Sequence, residues 1–229
     1  LRKASRLSFT QIIDTLVLGA KNSIVIAVSC GCAGIVVGVL DVTGVGIKFV
    51  TIVTEMSMGF VPLLLVLVML SCLILGMGVP TAPAYIIAAM IAAPTLVKFG
   101  IQPIVAHMFV FYSALLSALT PPVALAAYAG AQISGGRVMA TAIHATKLGF
   151  VKFLVPYMFV FNPAFLMIGS IPFVIWSFFT ALVGTVSMVV AMEGYFFATL
   201  DRLHRLMFAV AGVMAIVPEG MTDIGGLAL

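Results

Sequence analysis

Apolar residues come in long runs along this chain, separated by short polar stretches. Residues 23–40, 60–74, 84–97, 104–133, 148–168 and 171–192 are almost free of charge and predict helices at membrane depth. A seventh run, 206–217, is short and predicts a tilted or partial span. Residues 1–22 carry Arg2, Lys3, Arg6 and Lys21 and predict an amphipathic cytoplasmic or interfacial helix. Residues 41–59 carry Asp41, Lys48 and Glu55; too polar for lipid, they predict an interfacial arm. Residues 134–147 form a polar connector, 193–205 a charged loop and 218–229 a polar tail. Gly31, Gly34 and Gly38 recur in the first run at a spacing that lets membrane helices approach closely.

The runs 60–75 and 84–97 each fall short of the about 20 residues a full span needs. Leu75-Gly76-Met77-Gly78-Val79-Pro80-Thr81-Ala82-Pro83 joins them without a charge. Proline lacks the N–H and collides with the carbonyl four residues back, so Pro80 frees the carbonyl of Gly76 and Pro83 that of Val79. Gly76 and Gly78 permit positive φ and close backbone approach. Irregular backbone at membrane depth is tolerated only where protein buries it or it lines a wet cavity. A re-entrant helical hairpin follows, with its tip near 76–81. A second uncharged break, Ser117-Ala118-Leu119-Thr120-Pro121-Pro122, interrupts the run 104–133. Pro121 and Pro122 release the carbonyls of Ser117 and Ala118, so this span is a broken helix, expected to face the hairpin tip.

Composition removes the soluble alternatives. The 229 residues are 63% hydrophobic and 8% charged, against about 25% charged in soluble domains. Mean hydropathy is +1.30. The fold class is therefore an all-α integral membrane protein, a multi-span helical bundle with a re-entrant hairpin and a broken transmembrane helix. Four regions follow: 1–59 with the amphipathic helix, one span and the arm; 60–133 with the hairpin and broken helix; 134–170 with a cytoplasmic connector and span; 171–229 with further spans and the tail. With residues 1–22 inside the cell, all basic residues except Lys48 and Lys98 fall on the cytoplasmic side, as the positive-inside rule requires. A net charge of +4, carried in loops, excludes a nucleic-acid partner. The chain opens on Leu1 and Arg2-Lys3-Arg6 is no signal peptide, so it reads as an internal part of a longer protein.

The remaining reactive side chains suggest no catalytic constellation. Cys30, Cys32 and Cys72 lie in apolar segments and read as small buried residues. His107 reads as a satisfied core or interface histidine ahead of a proton relay, and His144 and His204 as solvated loop residues. Gln132 and Asn162 read as packing or capping groups, and Asp41 and Glu55 as interfacial. Ser117, Thr81, Thr120 and Tyr128 are divided between ligand and structural roles, because membrane hydroxyls often bond back to their own backbone. The acidic residues all fall at segment ends or in loops, which argues against an intramembrane enzyme.

With these residues placed, the chain resembles the large membrane subunit of tripartite ATP-independent periplasmic (TRAP) transporters, and is most similar to the C-terminal part of the fused TAXI-type permeases. The resemblance rests on Leu75-Gly76-Met77-Gly78-Val79-Pro80-Thr81-Ala82, on Leu119-Thr120-Pro121-Pro122-Val123-Ala124 with Ala126-Ala127-Tyr128, and on the tail Glu193-Gly194-Tyr195 and Pro218-Glu219-Gly220-Met221-Thr222-Asp223. It implies an elevator-type carrier of which this is the second inverted repeat, in a bacterial or archaeal inner (cytoplasmic) membrane. It implies sodium as the coupling ion with no other cofactor, an organic acid (carboxylate) substrate, a periplasmic TAXI-type solute-binding protein and a small membrane subunit region as partners, and membrane lipid as surroundings. On that reading backbone oxygens of Gly76, Met77, Gly78, Val79, Ser117, Ala118 and Leu119, with the hydroxyls of Thr81 and Thr120, hold the ion. Gly78, Pro80, Thr81, Thr120, Pro121 and Pro122 then surround the substrate. Thr81 is expected as N-cap and Pro83 near the first helical position, aiming a positive helix end at a carboxylate. A non-transporting membrane scaffold and a proton-coupled carrier using His107 remain as alternatives.

Overall fold

Nothing between Lys21 and Ser23 breaks a helix, and the Ser23 hydroxyl donates to the Gly19 carbonyl at 2.9 Å, following the backbone ladder. The amphipathic lead-in and the first apolar run therefore fold as one helix, not as the two elements expected. The structure is a computed structural model and describes residues 8–196 and 198–216. Arg2, Lys3, Arg6 and the tail motif 218–223 lie outside the described residues. Helix α1 covers Phe9–Thr43, 35 residues. At 1.5 Å per residue it is about 52 Å long, well beyond the about 30 Å of a bilayer core. Gly44 (φ 66°) ends it, and α2 (Val45–Ser57) leaves at 74°, with Lys48 and Glu55 exposed.

The body is built from α3 (Val61–Leu75), α4 (Thr81–Lys98) and α5 (Pro103–Leu116). Leu64, Leu65, Val68 and Cys72 of α3, Ala88 and Leu96 of α4, and Phe109 and Val110 of α5 close on one another with essentially no exposure. Pro62 and Pro103 sit in the first turns of α3 and α5, where the missing N–H costs nothing. Gly100, at φ +85°, makes the tight return from α4 to α5. Two expectations need correction. Helix α4 starts at Thr81, not Ala84, so at 18 residues it is long and apolar enough to cross a membrane, whereas the 15 residues of α3 are not. Gly31, Gly34 and Gly38 meet nothing within 4 Å; they are not packing glycines among the described residues, because α1 contacts the body chiefly through α4. Cys30 is half-buried and Cys32 exposed, not the buried small residues expected, while Cys72 is buried as expected.

After the break, α6 (Leu125–Ser134) and α7 (Val138–Leu148) pack as a pair. The run 148–168 is not one helix. It divides into a 3-10 turn (Phe150–Phe153), α8 (Val155–Phe161) and a second 3-10 turn (Pro163–Leu166), because Pro156 and Pro163 each open a new element. Asn162 caps the second turn, accepting from Ala164 N–H at 3.1 Å and donating to the Ser177 hydroxyl at 2.8 Å, which is the capping role expected of it. Ring contacts Phe109–Tyr157 and Tyr112–Phe159 hold α8 on α5.

Helix α9 (Ile171–Glu193) is the second element long and apolar enough to cross a membrane. Counting each bent pair as one span gives up to four crossings among the described residues. The expected charged loop is shorter than the sequence suggests. It holds a two-stranded hairpin, β1 (Tyr195–Phe196) and β2 (Ala198–Thr199), and α10 already starts at Arg202 and runs to Ile216. Asp201 makes this early start possible, accepting from the His204 N–H at 3.0 Å as an N-cap. Helices α9 and α10 touch at Gly184 and Gly212: a Cβ on Gly184 would lie 2.8 Å from the Gly212 carbonyl. Arg205 donates to the carbonyls of Ala191 (3.0 Å) and Met192 (2.8 Å), closing the C-terminal end of α9. The Lys147 ammonium lies 3.7 Å from Glu193, so the ends of α7 and α9 share one end of the fold. Apart from that short two-stranded hairpin the described residues are helical, and they form the multi-span helical membrane protein the apolar pattern requires.

Candidate functional site

The hairpin tip is a short irregular turn. Helix α3 ends at Leu75, with Gly76 N–H still donating to Cys72 at 2.9 Å and Met77 N–H to Ile74 at 3.3 Å. Gly78 turns the chain at φ +75°. Pro80 is the N-cap of α4, so Thr81 and Pro83 occupy its first and third positions. The expected Thr81 cap is therefore displaced by one residue, and the Thr81 hydroxyl makes no capping bond. The physical reason is that Pro83 gives up nothing there. First-turn N–H groups have no intrahelical acceptor, and the Val79 carbonyl that its ring would meet lies outside the helix.

The second break is equally local. Helix α5 unwinds through short-range bonds from Leu119 N–H and Thr120 N–H to the Leu116 carbonyl, at 3.0 and 3.1 Å, and the Thr120 hydroxyl adds a third at 2.9 Å. Pro121-Pro122, joined by a cis peptide, then redirects the chain, and Ala126 N–H takes up the Ala118 carbonyl at 3.0 Å. Tyr128, weighed above as a ligand, donates its hydroxyl to the Pro122 carbonyl.

The two breaks meet. The Ser117 hydroxyl reaches the Gly76 carbonyl at 2.9 Å and the Ala114 carbonyl at 2.6 Å, sharing its one proton. A Cβ on Gly76 would lie 2.6 Å from Ser117 Oγ, and one on Gly78 would lie 3.5 Å from Val123 Cγ1. On its other side the break is tied to α7, where the Thr146 hydroxyl donates to the Leu119 carbonyl at 2.9 Å. Thr146 escaped the sequence reading, because nothing in an amphipathic helix marks a contact 27 residues back. Beyond the tip, a cavity of about 300 Å³ opens between Gly78, Val79 and Pro80 and the Ser29–Cys32 face of α1.

The freed carbonyls do not all remain free. Gly76 is taken by Ser117, with a weaker 3.4 Å contact from Val79 N–H; Ala118 is taken by Ala126 and Leu119 by Thr146. Among the described residues no hydrogen bond reaches the carbonyls of Met77, Gly78, Val79, Ser117 or Thr120. The N–H groups of Thr81 and Ala82 at the start of α4 are likewise without partners there. Two helix C-termini, those of α3 and α5, therefore converge at Gly76–Ser117, beside the N-termini of α4 and α6. The former concentrate partial negative charge and the latter partial positive charge. No acidic residue lies in either break, and no cluster of His, Cys, Asp or Glu suited to a metal occurs among the described residues. His107 stands apart from the breaks on α5, exposed, with Nδ1 2.9 Å from the Tyr85 hydroxyl.

Residues 1–174 match the family described as tripartite ATP-independent periplasmic transporter, DctM component. The chain belongs to the DctM family. No curated protein and no solved structure matches it. DctM proteins are the membrane permease subunits of TRAP transporters, a transporter family and not an enzyme family. They work with a periplasmic binding protein and a small membrane subunit. Both breaks fall within the matched residues, whereas all but the first turn of α9, and the whole of α10, lie beyond them.

Proposed function

We propose that this DctM chain forms half of a sodium-driven carrier that imports organic acids handed over by a TAXI-type binding protein, in a bacterial or archaeal inner membrane. The observation that carries the reading is the convergence of four helix ends at Gly76–Ser117 without any charged side chain. Neutral oxygens suit a hard monovalent cation. Unpartnered carbonyls of Met77, Gly78, Val79 and Ser117, with the lone pairs of the Thr120 hydroxyl, supply the donor set. The N–H groups of Thr81 and Ala82 suit a carboxylate at the head of α4. Opposite charges side by side at low dielectric attract strongly, so ion and substrate strengthen one another's binding reciprocally. The 15-residue length of α3 supports a hairpin that re-enters without crossing, and a transport region moving as an elevator against α1 and α2 accounts for the cavity between tip and α1.

The test is uptake by the full permease, reconstituted with its binding protein and screened over organic acids across a sodium gradient. Uptake of a carboxylate that collapses when the sodium gradient is removed is expected. Uptake that ignores sodium but follows a proton gradient would overturn the site, and His107 with Tyr85 would be the pair to examine. No uptake of any acid by an inserted, correctly assembled permease would favour the scaffold reading.

A further inference from the structure

Helices α5, α8 and α9 do not close completely on one another. Tyr112, Met158, Phe165, Phe178, Leu182 and Thr185 border a groove of about 410 Å³ between them. No charged side chain lines it. The groove flanks α9, an element long and apolar enough to span, so it lies at a depth where water is scarce. An open apolar groove of this size offers dispersion contacts on several walls to a chain laid into it.

One end of the groove differs from the rest. Val155 and Thr185 border it there, and Thr185 brings a hydroxyl to the groove. The turn just before Val155 carries Lys152, which is exposed and makes no ion pair among the described residues. Its neighbour Val151 borders a crevice with Val189 of α9, so this turn abuts α9 one helical turn beyond Thr185. The nearby carboxylate, Glu193, is already paired with Lys147. An unneutralised lysine at the mouth of an apolar groove, at the end of the fold the charge pattern places in the cytoplasm, complements an anionic headgroup carrying an acyl chain.

We propose that this groove is a site for one anionic phospholipid of the bilayer, with an acyl chain between α8 and α9 and the headgroup phosphate on Lys152 and Thr185. The lipid fills the contact that α9 and α10 leave open against the rest of the chain. Nothing in this assignment depends on sodium or on the transported substrate.

The experiment is native mass spectrometry of the full permease chain in detergent, titrated separately with phosphatidylglycerol and phosphatidylcholine. One phosphatidylglycerol is expected to be retained in preference to phosphatidylcholine by about five-fold, the factor one lysine contributes near an anionic lipid. Lys152→Gln, at an exposed position that leaves the fold untouched, should abolish the preference while phosphatidylcholine retention stays the same. Leu182→Trp, which fills the groove, should lower retention of both lipids. Equal retention of the two lipids by the parent, or a preference that survives Lys152→Gln, would overturn the proposal. So would a groove that holds no lipid because a second copy or another subunit covers it.

Discussion

The Ser117 hydroxyl lies 2.9 Å from the Gly76 carbonyl oxygen and joins two chain breaks that are 41 residues apart in sequence. Ser117 is 2% exposed, so the bond is made away from solvent. Ser117→Ala leaves the Gly76 carbonyl with only the 3.4 Å contact from Val79 and should cost about 1–3 kcal/mol. Gly76→Ala should cost more, since its Cβ would meet Ser117 Oγ at 2.6 Å and the Ala114 carbonyl at 3.0 Å. Thermal melting of the purified permease checks both, and the double variant should be less destabilised than the sum of the two. Strict additivity would show that the two residues do not act on one another.

Gly78 should tolerate substitution according to backbone and not to space. Its φ is +75°, and the nearest atom to an added Cβ is Val123 Cγ1 at an ordinary 3.5 Å. Asparagine enters the left-handed region more readily than alanine, and a β-branched residue least readily. Uptake should therefore fall in the order Gly78, Asn, Ala, Val, with membrane insertion unchanged. Wild-type uptake by Gly78→Val would show that the turn is not needed in this conformation.

The Thr120 hydroxyl donates its proton to Leu116 and keeps its lone pairs, so it can hold a cation while bonded. Thr120→Ala should raise the sodium concentration for half-maximal uptake several-fold, and Thr120→Ser should restore it. Thr81→Ala tests the exposed hydroxyl on the first turn of α4. Unaltered sodium dependence in both alanine variants would remove the hydroxyls from the site and leave only backbone oxygens.

Glycines that look alike in the sequence should behave differently. A Cβ on Gly212 would lie 2.9 Å from the Gly184 carbonyl and 3.1 Å from Met188 N, whereas one on Gly31 or Gly38 meets nothing within 4 Å. Gly212→Ala or Gly184→Ala should loosen α10 from α9 at a cost of about 1–3 kcal/mol. Gly31→Ala should be neutral or slightly stabilising, because alanine is the better helix former. Disulfide trapping between cysteines introduced on α9 and α10 reads the first effect, and melting the second.

The start of α10 should respond to pH. The Asp201 carboxylate accepts from the His204 backbone N–H and from its ring, and these bonds hold its pKa below the usual carboxylate value. A depressed folded-state pKa means stabilisation that is complete above the ordinary carboxylate range and lost as pH falls through the lowered value. Amide exchange in the first turn of α10 should quicken across that acidic window in the parent. In Asp201→Ala it should be faster throughout and free of that step.

The sequence by itself determined the membrane class, the uncharged breaks and where they fall. These are local facts. A proline withdraws an N–H from one known carbonyl whatever surrounds it, and 8% charge over 229 residues cannot cover a soluble surface. Which freed carbonyls stay free was decided only by tertiary structure. Gly76, Ala118 and Leu119 find donors in Ser117, Ala126 and Thr146, and two of those donors come from distant segments. Whether a glycine packs was decided the same way: Gly184 and Gly212 meet, while Gly31, Gly34 and Gly38 face open space, although all five sit in apolar helices. Hydrogen-bond partners and close approach belong to pairs of residues, and local chemistry names only one member of each pair.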